Sequence, residues 1–518
     1  MKTSEIAPTT TLFGHPKGLF YLFFAELWER FSFYGMKALL LLYMTQHLLY
    51  SDDVSFGILS AYMSLVYITP LWGGIIADKI LGYRKSILLG GILMALGHFF
   101  LSFETPLFFY GSLGLIIVGN GFFKPNISSF VGALYKNNPT QRDAGFTIFY
   151  LGINLGAAIA PLICAWVADL YGWHYGFMLA GIGMLLGLFF FQRGLNSDVF
   201  GAAGKLPNST NYYQKKGGLN QGQWISLGAF AVVPIFAAII YLHQYEHYLI
   251  FAATLFLVLY VLYILSRVSP LERGRLIVVI YFTLLSTLFA ALFEQTGSSV
   301  VLFADRNVNL IGITAAQTNS INASFIVLLA IPFSMLWGWL NKINKNPSAP
   351  YKFSIGLILL GLAAIIFGRS AVSADAMAQT SMVYLVIGYF VLTVGELFLS
   401  PIGLSKVTEL SPTRYIAFIM GVWFSSYFYG HYFAGKIAQL TVNNGDKNIL
   451  TDSFGTFIEI ITQLNPSIAA EKGKAFEQLY AYVSVYVSFG IITLSIGLLA
   501  FFIAPFMAKL MQLEEYKN

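Results

Sequence analysis

No charged residue falls between Leu479 and Phe506, and the same holds for Ser55–Ala77, Ala144–Ala168, Trp224–Leu242 and Tyr248–Ser266. Each run reaches or exceeds the roughly 17–25 residues that a helix needs to cross a bilayer. Hydrocarbon offers the backbone no water to bond, so a spanning segment must satisfy its own N–H and C=O groups as a helix or in a closed barrel. The alternating pattern of barrel strands is absent. Only 10% of the chain is charged and 57% is hydrophobic, against about 25% charged residues in an ordinary soluble domain. The fold class is therefore an all-α polytopic membrane protein.

Fourteen transmembrane spans are predicted, at 19–50, 55–77, 86–103, 107–130, 144–168, 173–191, 224–242, 248–266, 276–303, 317–341, 353–368, 381–405, 416–435 and 479–506. The polar first 18 residues lead directly into a span, which predicts no removable signal peptide. With a cytoplasmic N-terminus, most of the 30 Lys and Arg residues collect on one side, among them Lys2, Lys17, Arg84, Lys85, Arg193, Arg267, Arg273, Arg275, Lys509 and Lys517. The other side holds only Arg306, Arg369, Lys436, Lys447, Lys472 and Lys474. The positive-inside rule then predicts a cytoplasmic (inner) membrane protein with both termini cytoplasmic. It also accounts for the net charge of +6, so no nucleic-acid partner is expected. The sequon at Asn208 falls on the cytoplasmic side and is not read as a glycosylation site. The single cysteine, Cys164, has no partner for an intrachain disulfide.

The longest internal polar stretch, 192–223, is rich in Gly, Asn and Lys and reads as a flexible cytoplasmic linker. The layout is a six-helix bundle over 1–191, that linker, two extra helices with their connection over 224–275, and a second six-helix bundle over 276–518. The hairpin "GGIIADKILGYRKS" resembles the loop motif of the major facilitator superfamily, with Gly74, Asp78, Gly82, Arg84 and Lys85 in the matching places. Glycines permit a tight turn there, while Asp78, Arg84 and Lys85 can pair or cap a helix end. The resemblance implies that fold: six and six helices, here with two more.

Seven ionisable residues lie well inside spans: Glu26, Glu29, Arg30, Lys37, Lys124, Glu294 and Glu396. Insertion costs roughly 2.5–3.5 kcal/mol for a central charge, so such groups face a wet interior. Glu26 and Arg30 are spaced i,i+4, and Tyr34 and Lys37 continue the same stripe, which predicts one polar face along the first helix. Cations concentrate in the first half of the chain and unmatched carboxylates in the second. Metal-ligand spacing, a phosphate-binding loop and a nucleophile–base pair are absent, so the chain does not read as an enzyme or an ATP-driven pump. The histidines are read as interfacial.

The strings "ELWER" (26–30), "GFFKPNIS" (121–128), "INLG" (153–156), "FEQTGSS" (293–299) and "GELFLSPIG" (395–403) occur in this order. Together they resemble the proton-dependent oligopeptide transporter family, and the helix pair at 224–266 is similar to the two additional helices of its prokaryotic members. The resemblance implies proton-coupled uptake of di- and tripeptides by alternating access, by a functional monomer in contact with membrane lipid. Protons serve as the coupling ion and no other cofactor is expected. It implies a proton-coupling cluster of Glu26, Glu29, Arg30, Lys124 and Glu294, with Lys37 facing Glu294. Tyr34, Lys37, Tyr67, Lys124, Asn154, Glu294, Asn322, Glu396 and Trp423 are the implied substrate-binding residues. Asn154, Asn322 and Glu396 would take the peptide's amino end. Glu29 is the first choice of proton acceptor and Glu294 the second. Phe33, Lys37 and Ala290 depart from the residues many members carry. The competing reading is a carrier of another small solute, nitrate or amino-acid-like, on the same scaffold.

Overall fold

The computed structural model describes residues 11–136, 141–207, 212–442 and 449–511. Lys2, Asn208, Lys447 and Lys517 lie outside the described residues. Helices dominate: α1 Lys17–Leu42, α2 Asp52–Ile76, α3 Gly82–Phe100, α4 Pro106–Leu134, α5 Arg142–Tyr171, α6 Trp173–Asn196, α7 Gln221–Tyr241, α8 Glu246–Arg267, α9 Pro270–Phe293 and α10 Ser299–Asn307. They continue as α11 Asn319–Lys342, α12 Ala349–Arg369, α13 Met382–Leu410, α14 Ile416–Gln439, α15 Ile449–Thr462, α16 Pro466–Lys472 and α17 Lys474–Met511. Three two-residue strand pairs decorate the loops.

Among the described residues eleven helical stretches are long and apolar enough to cross a membrane. One of them, Asp52–Phe100, is 49 residues long, about 73 Å of helix and far beyond one bilayer crossing. It contains two of the predicted spans. The break is a wide turn at Ala77–Leu81 followed by Gly82 at φ +66°, a conformation that only glycine adopts without strain. The first helix is not among the eleven, because Glu26, Glu29, Arg30 and Lys37 interrupt its apolar run. Two helix starts are capped as local sequence dictates. Asn220 with Gln223 opens α7, and Ser269 with Glu272 and Pro270 opens α9, each as a reciprocal capping box.

The chain forms two compact units. The first comprises residues up to Tyr43 and Leu65–His243; the second comprises Met44–Ser64 and the chain from Gln244 onward. The extra helices expected at 224–275 are thus shared out. In the first unit α7 packs on α4, with Gly114 against Val233 and the rings of Tyr110 and Tyr241 5.3 Å apart. In the second, α8 packs on α14, where Thr254 Oγ1 donates to Tyr429 Oη at 2.9 Å and Tyr260 meets Phe418.

Glycines let helices in each unit approach backbone to backbone. A Cβ on Gly73 of α2 would stand 1.9 Å from the Gly121 carbonyl oxygen of α4. That carbonyl projects because Pro125, four residues on, has no N–H to bond it. Gly90 and Gly119 join α3 to α4 in the same way, and Gly361, Gly490 and Gly497 join α12 to α17.

Three expectations need correction. The 276–303 span is broken: α9 ends at Phe293, a tight 3₁₀ turn covers Glu294–Gly297, and α10 begins at Ser299. The 192–223 stretch is not a free linker over its described residues. Phe200 is 2% exposed, packed on Phe130 and Phe191, and Arg84 holds the turn around it. Between α14 and α17, where no element was expected, lie the amphipathic α15 and the short α16.

Candidate functional site

The charged face of α1 carries a fully buried cluster. Arg30 donates from Nε and Nη2 to both carboxylate oxygens of Glu29, its neighbour in sequence. The expected i,i+4 partner is second: Arg30 Nε stands 3.4 Å from Glu26 Oε1. The planar guanidinium fork favours two parallel bonds to one carboxylate over one bond to each of two. Rings hold it from the side, with Phe33 centred 5.2 Å and Tyr34 5.9 Å from its carbon. Glu26 is 0% exposed, and neither of its oxygens has a hydrogen-bond donor among the described residues. Its second cation is Lys124 of α4, whose Nζ lies 3.9 Å from Glu26 Oε1 and whose side chain is 35% exposed. The structure therefore brings Glu26, Glu29, Arg30 and Lys124 together. Tyr34 and Lys37 of α1 and Tyr67 of α2 are half-buried. Asn154 is buried and donates to the Tyr150 carbonyl at 3.0 Å, one turn back in its own helix.

The second unit gathers carboxylates. Asn322 of α11 donates to Glu396 Oε2 of α13 at 3.0 Å and to Thr393 Oγ1 at 3.0 Å, and Thr393 in turn donates to the Tyr389 carbonyl. Thr393 had no sequence signal beyond standing three residues before Glu396 on one helix face. Glu294 heads the 3₁₀ turn, with His431 Nδ1 of α14 3.7 Å from its Oε2. His431 is buried, contrary to the interfacial reading of the histidines. No spacing in sequence could have joined it to Glu294. The rest of "FEQTGSS" holds the helix break: Gln295 donates to the Ala434 and Ala291 carbonyls, Ser298 to the Glu294 carbonyl, and Ser299 to Gln295 Oε1. Ala290 lies against Gly430, so the small side chain here is matched by a small partner. Trp423 is buried against Phe353 and Gly403.

The loop motif does more than cap a helix. Asp78 shares a hydrogen bond with the Tyr83 hydroxyl. Arg84 donates to the carbonyls of Ala203 at 2.9 Å and Gly201 at 2.7 Å, and its own N–H bonds the Gly204 carbonyl. Lys85 sits 3.7 Å from the centre of the buried Tyr212 ring. Among the described residues no cluster of three or more His, Cys, Asp or Glu side chains is placed to hold a metal ion.

The family model described as "PTR2: POT family" matches residues 84–453. The chain belongs to the POT family. Among its relatives, "Peptide transporter YePEPT" of Yersinia enterocolitica subsp. palearctica serotype O:3 (strain YE-P4) is 37% identical over 469 residues, 84% of this chain and 90% of that one. The "Di-/tripeptide transporter" of Lactococcus lactis subsp. lactis (strain IL1403) is 35% identical over 443 residues, 80% of this chain and 87% of that one. A solved structure of "peptide transporter POT in complex with sulfate" superposes with a TM-score of 0.79 at 31% identity, covering 98% of each chain. The fold is that of POT transporters of the major facilitator superfamily, and the chain is a multi-pass membrane transporter.

Proposed function

We propose that this POT-family member carries di- and tripeptides into the cell in symport with protons, by alternating access. The family match and the peptide-transporting relatives support the substrate class. The observation that carries the coupling is the four-membered cluster around Glu26. With Glu26 and Glu29 ionised against Arg30 and Lys124, the buried group is electrically neutral. A peptide carboxylate drawn to Arg30 or Lys124 adds one negative charge in a low-dielectric site, and one proton restores neutrality. Proton and substrate therefore favour each other's binding.

The pairing also favours Glu26 over Glu29 as the acceptor. Both Glu29 oxygens are occupied by the Arg30 fork, whereas Glu26 is buried with neither oxygen hydrogen-bonded. A proton on Glu26 displaces no hydrogen bond, whereas one on Glu29 would displace a guanidinium N–H. Glu294 stays second. The ammonium end of a peptide is the natural partner of Glu396, Asn322 and Asn154, which leaves Tyr34, Tyr67 and Trp423 to shape side-chain preference, with Lys37 paired with Glu294. The same reading takes fourteen crossings, cytoplasmic termini in the inner membrane, a functional monomer, protons as the coupling ion with no other cofactor, and no enzymatic step.

The test is uptake of labelled dialanine into proteoliposomes holding the purified chain, with and without an inward proton gradient. Accumulation above the external concentration only with the gradient is the expected result. Equal uptake in both conditions would remove proton coupling, and no uptake of any free dipeptide would remove the substrate assignment.

A further inference from the structure

Three arginines stand where α8 ends, α9 begins and the chain turns into α14. Arg267 is the last residue of α8, Arg273 lies in the first turn of α9, and Arg414 lies in the turn that precedes α14. All three are exposed. Backbone bonds hold two of them to the last turn of α8: Arg414 Nη2 donates to the Arg267 carbonyl at 3.1 Å, and Arg273 Nε donates to the Leu265 carbonyl at 3.1 Å. Arg267 leans on Tyr263, with the ring centre 5.6 Å from its guanidinium carbon.

One acid stands among them. Glu272 Oε2 lies 3.4 Å from Arg414 Nη2, but the same oxygen already accepts the Ser269 N–H in the α9 capping box. Among the described residues neither Arg267 nor Arg273 has a carboxylate within 4.0 Å. The N-terminus of α9 adds the positive end of a long helix dipole to the same spot. The patch is a surplus of positive charge built from donors with fixed positions.

What lies beside the patch decides the occupant. Apart from the side packed on α14, most of α8 is exposed. Phe256 is 65%, Leu259 58% and Tyr263 48% exposed, all within a quarter turn of the line that ends at Arg267. A soluble anion would use the arginines and leave that wall bare. A zwitterionic lipid would bring a quaternary ammonium to three guanidinium groups. We propose that Arg267, Arg273 and Arg414 bind the phosphate of a phospholipid with a net negative headgroup, whose acyl chains lie along the exposed face of α8. The second of the two extra helices thereby becomes a lipid anchor of the second unit.

Near an anionic surface each basic residue contributes roughly a fivefold gain in affinity, so removing two should cost roughly 30-fold. The experiment is native mass spectrometry of the full chain in detergent, titrated with dioleoyl-phosphatidylglycerol or dioleoyl-phosphatidylcholine. The wild type should retain phosphatidylglycerol in preference. R267Q/R273Q keeps the Arg414 tie and should lose that preference, while K342Q/K345Q, which removes two basic residues elsewhere, should keep it. Should the double arginine variant be poorly folded, R273Q alone should show about a fivefold loss. Retained preference in the arginine variants, or equal losses in the lysine variant, would overturn the site. Displacement of the lipid from the wild type by millimolar inorganic phosphate would assign the patch to a free anion instead.

Discussion

Replacing Lys124 by glutamine removes one of the two cations that stand by Glu26 among the described residues, and leaves a carboxylate that is 0% exposed with Arg30 at 3.4 Å. At the 3.9 Å separation of Lys124 Nζ and Glu26 Oε1, an effective dielectric of about 20 gives an attraction of about 4 kcal/mol. Lys124 is 35% exposed, so solvent screening brings the usable part down to about 2–4 kcal/mol. That is a factor of roughly 30 to 1,000 in the balance between ionised and protonated Glu26. The sign follows from the charge removed. Loss of a neighbouring cation favours the neutral carboxyl, so the proton is still picked up but is released reluctantly. K124Q should therefore lose gradient-driven accumulation of dialanine in proteoliposomes at neutral internal pH. Raising the internal pH by about 1.5–3 units should recover part of its turnover, since each unit corresponds to 1.36 kcal/mol. Wild-type accumulation by K124Q with an unshifted dependence on internal pH would refute the coupling of Lys124 to Glu26.

Glu29→Gln, which unbalances the Arg30 fork, should abolish gradient-driven uptake while leaving part of the peptide exchange measured without a gradient; undiminished driven uptake would free Glu29 of any part in coupling. Glu396→Ala removes the carboxylate that Asn322 bonds and leaves its bond to Thr393 Oγ1, and competition by free dipeptides should collapse toward the weak level of N-acetylated ones. If blocked and free dipeptides already compete equally against the wild type, Glu396 does not read the amino end. Arg84→Ala deletes two charge-assisted bonds to the 201–203 backbone, about 1.5–3 kcal/mol each before solvent screening, so a spin label at Val199 should become mobile. An unchanged spectrum would mean that Phe200 alone docks the segment. Gly73→Ala places a methyl 1.9 Å from a backbone oxygen and should lower the thermal midpoint of the detergent-purified chain by several degrees, with no shift counting against the α2–α4 contact.

Much of the plan was legible because lipid makes charge conspicuous. Glu26, Glu29, Arg30 and Lys124 stood out as ionised groups in apolar runs, and the structure clusters them. Their pairing was not legible: whether Arg30 turns to Glu26 or Glu29 depends on side-chain rotamers, which helical spacing does not determine. The family resemblance grouped Asn322 with Glu396 at one end of a peptide, but the bond between them was not legible, since nothing local relates two residues on separate helices. His431 and the break at Glu294 stayed hidden because the turn is held by uncharged Gln295, Ser298 and Ser299, which a hydropathy reading counts as ordinary span. The docking of 198–204 escaped notice because one phenylalanine in a polar, glycine-rich stretch and bonds from Arg84 to backbone carbonyls carry it, and the rings that receive Phe200 stand on α4 and α6.

The glycine seams bear on where this transporter can deform. Between α3 and α4, and between α12 and α17, carbonyls and amides of one helix lie where the side chains of the other would be. Sliding or rolling such a pair would drive backbone into backbone with no flexible side chain to give way, so each pair is confined to move as one rod. Bending during a transport cycle is then left to places outside these seams: the wide turn that ends at Gly82, the 3₁₀ turn at Glu294, and Pro161 of α5. Two of those places carry loop-motif or carboxylate residues, which puts the parts that sense charge at the parts that yield.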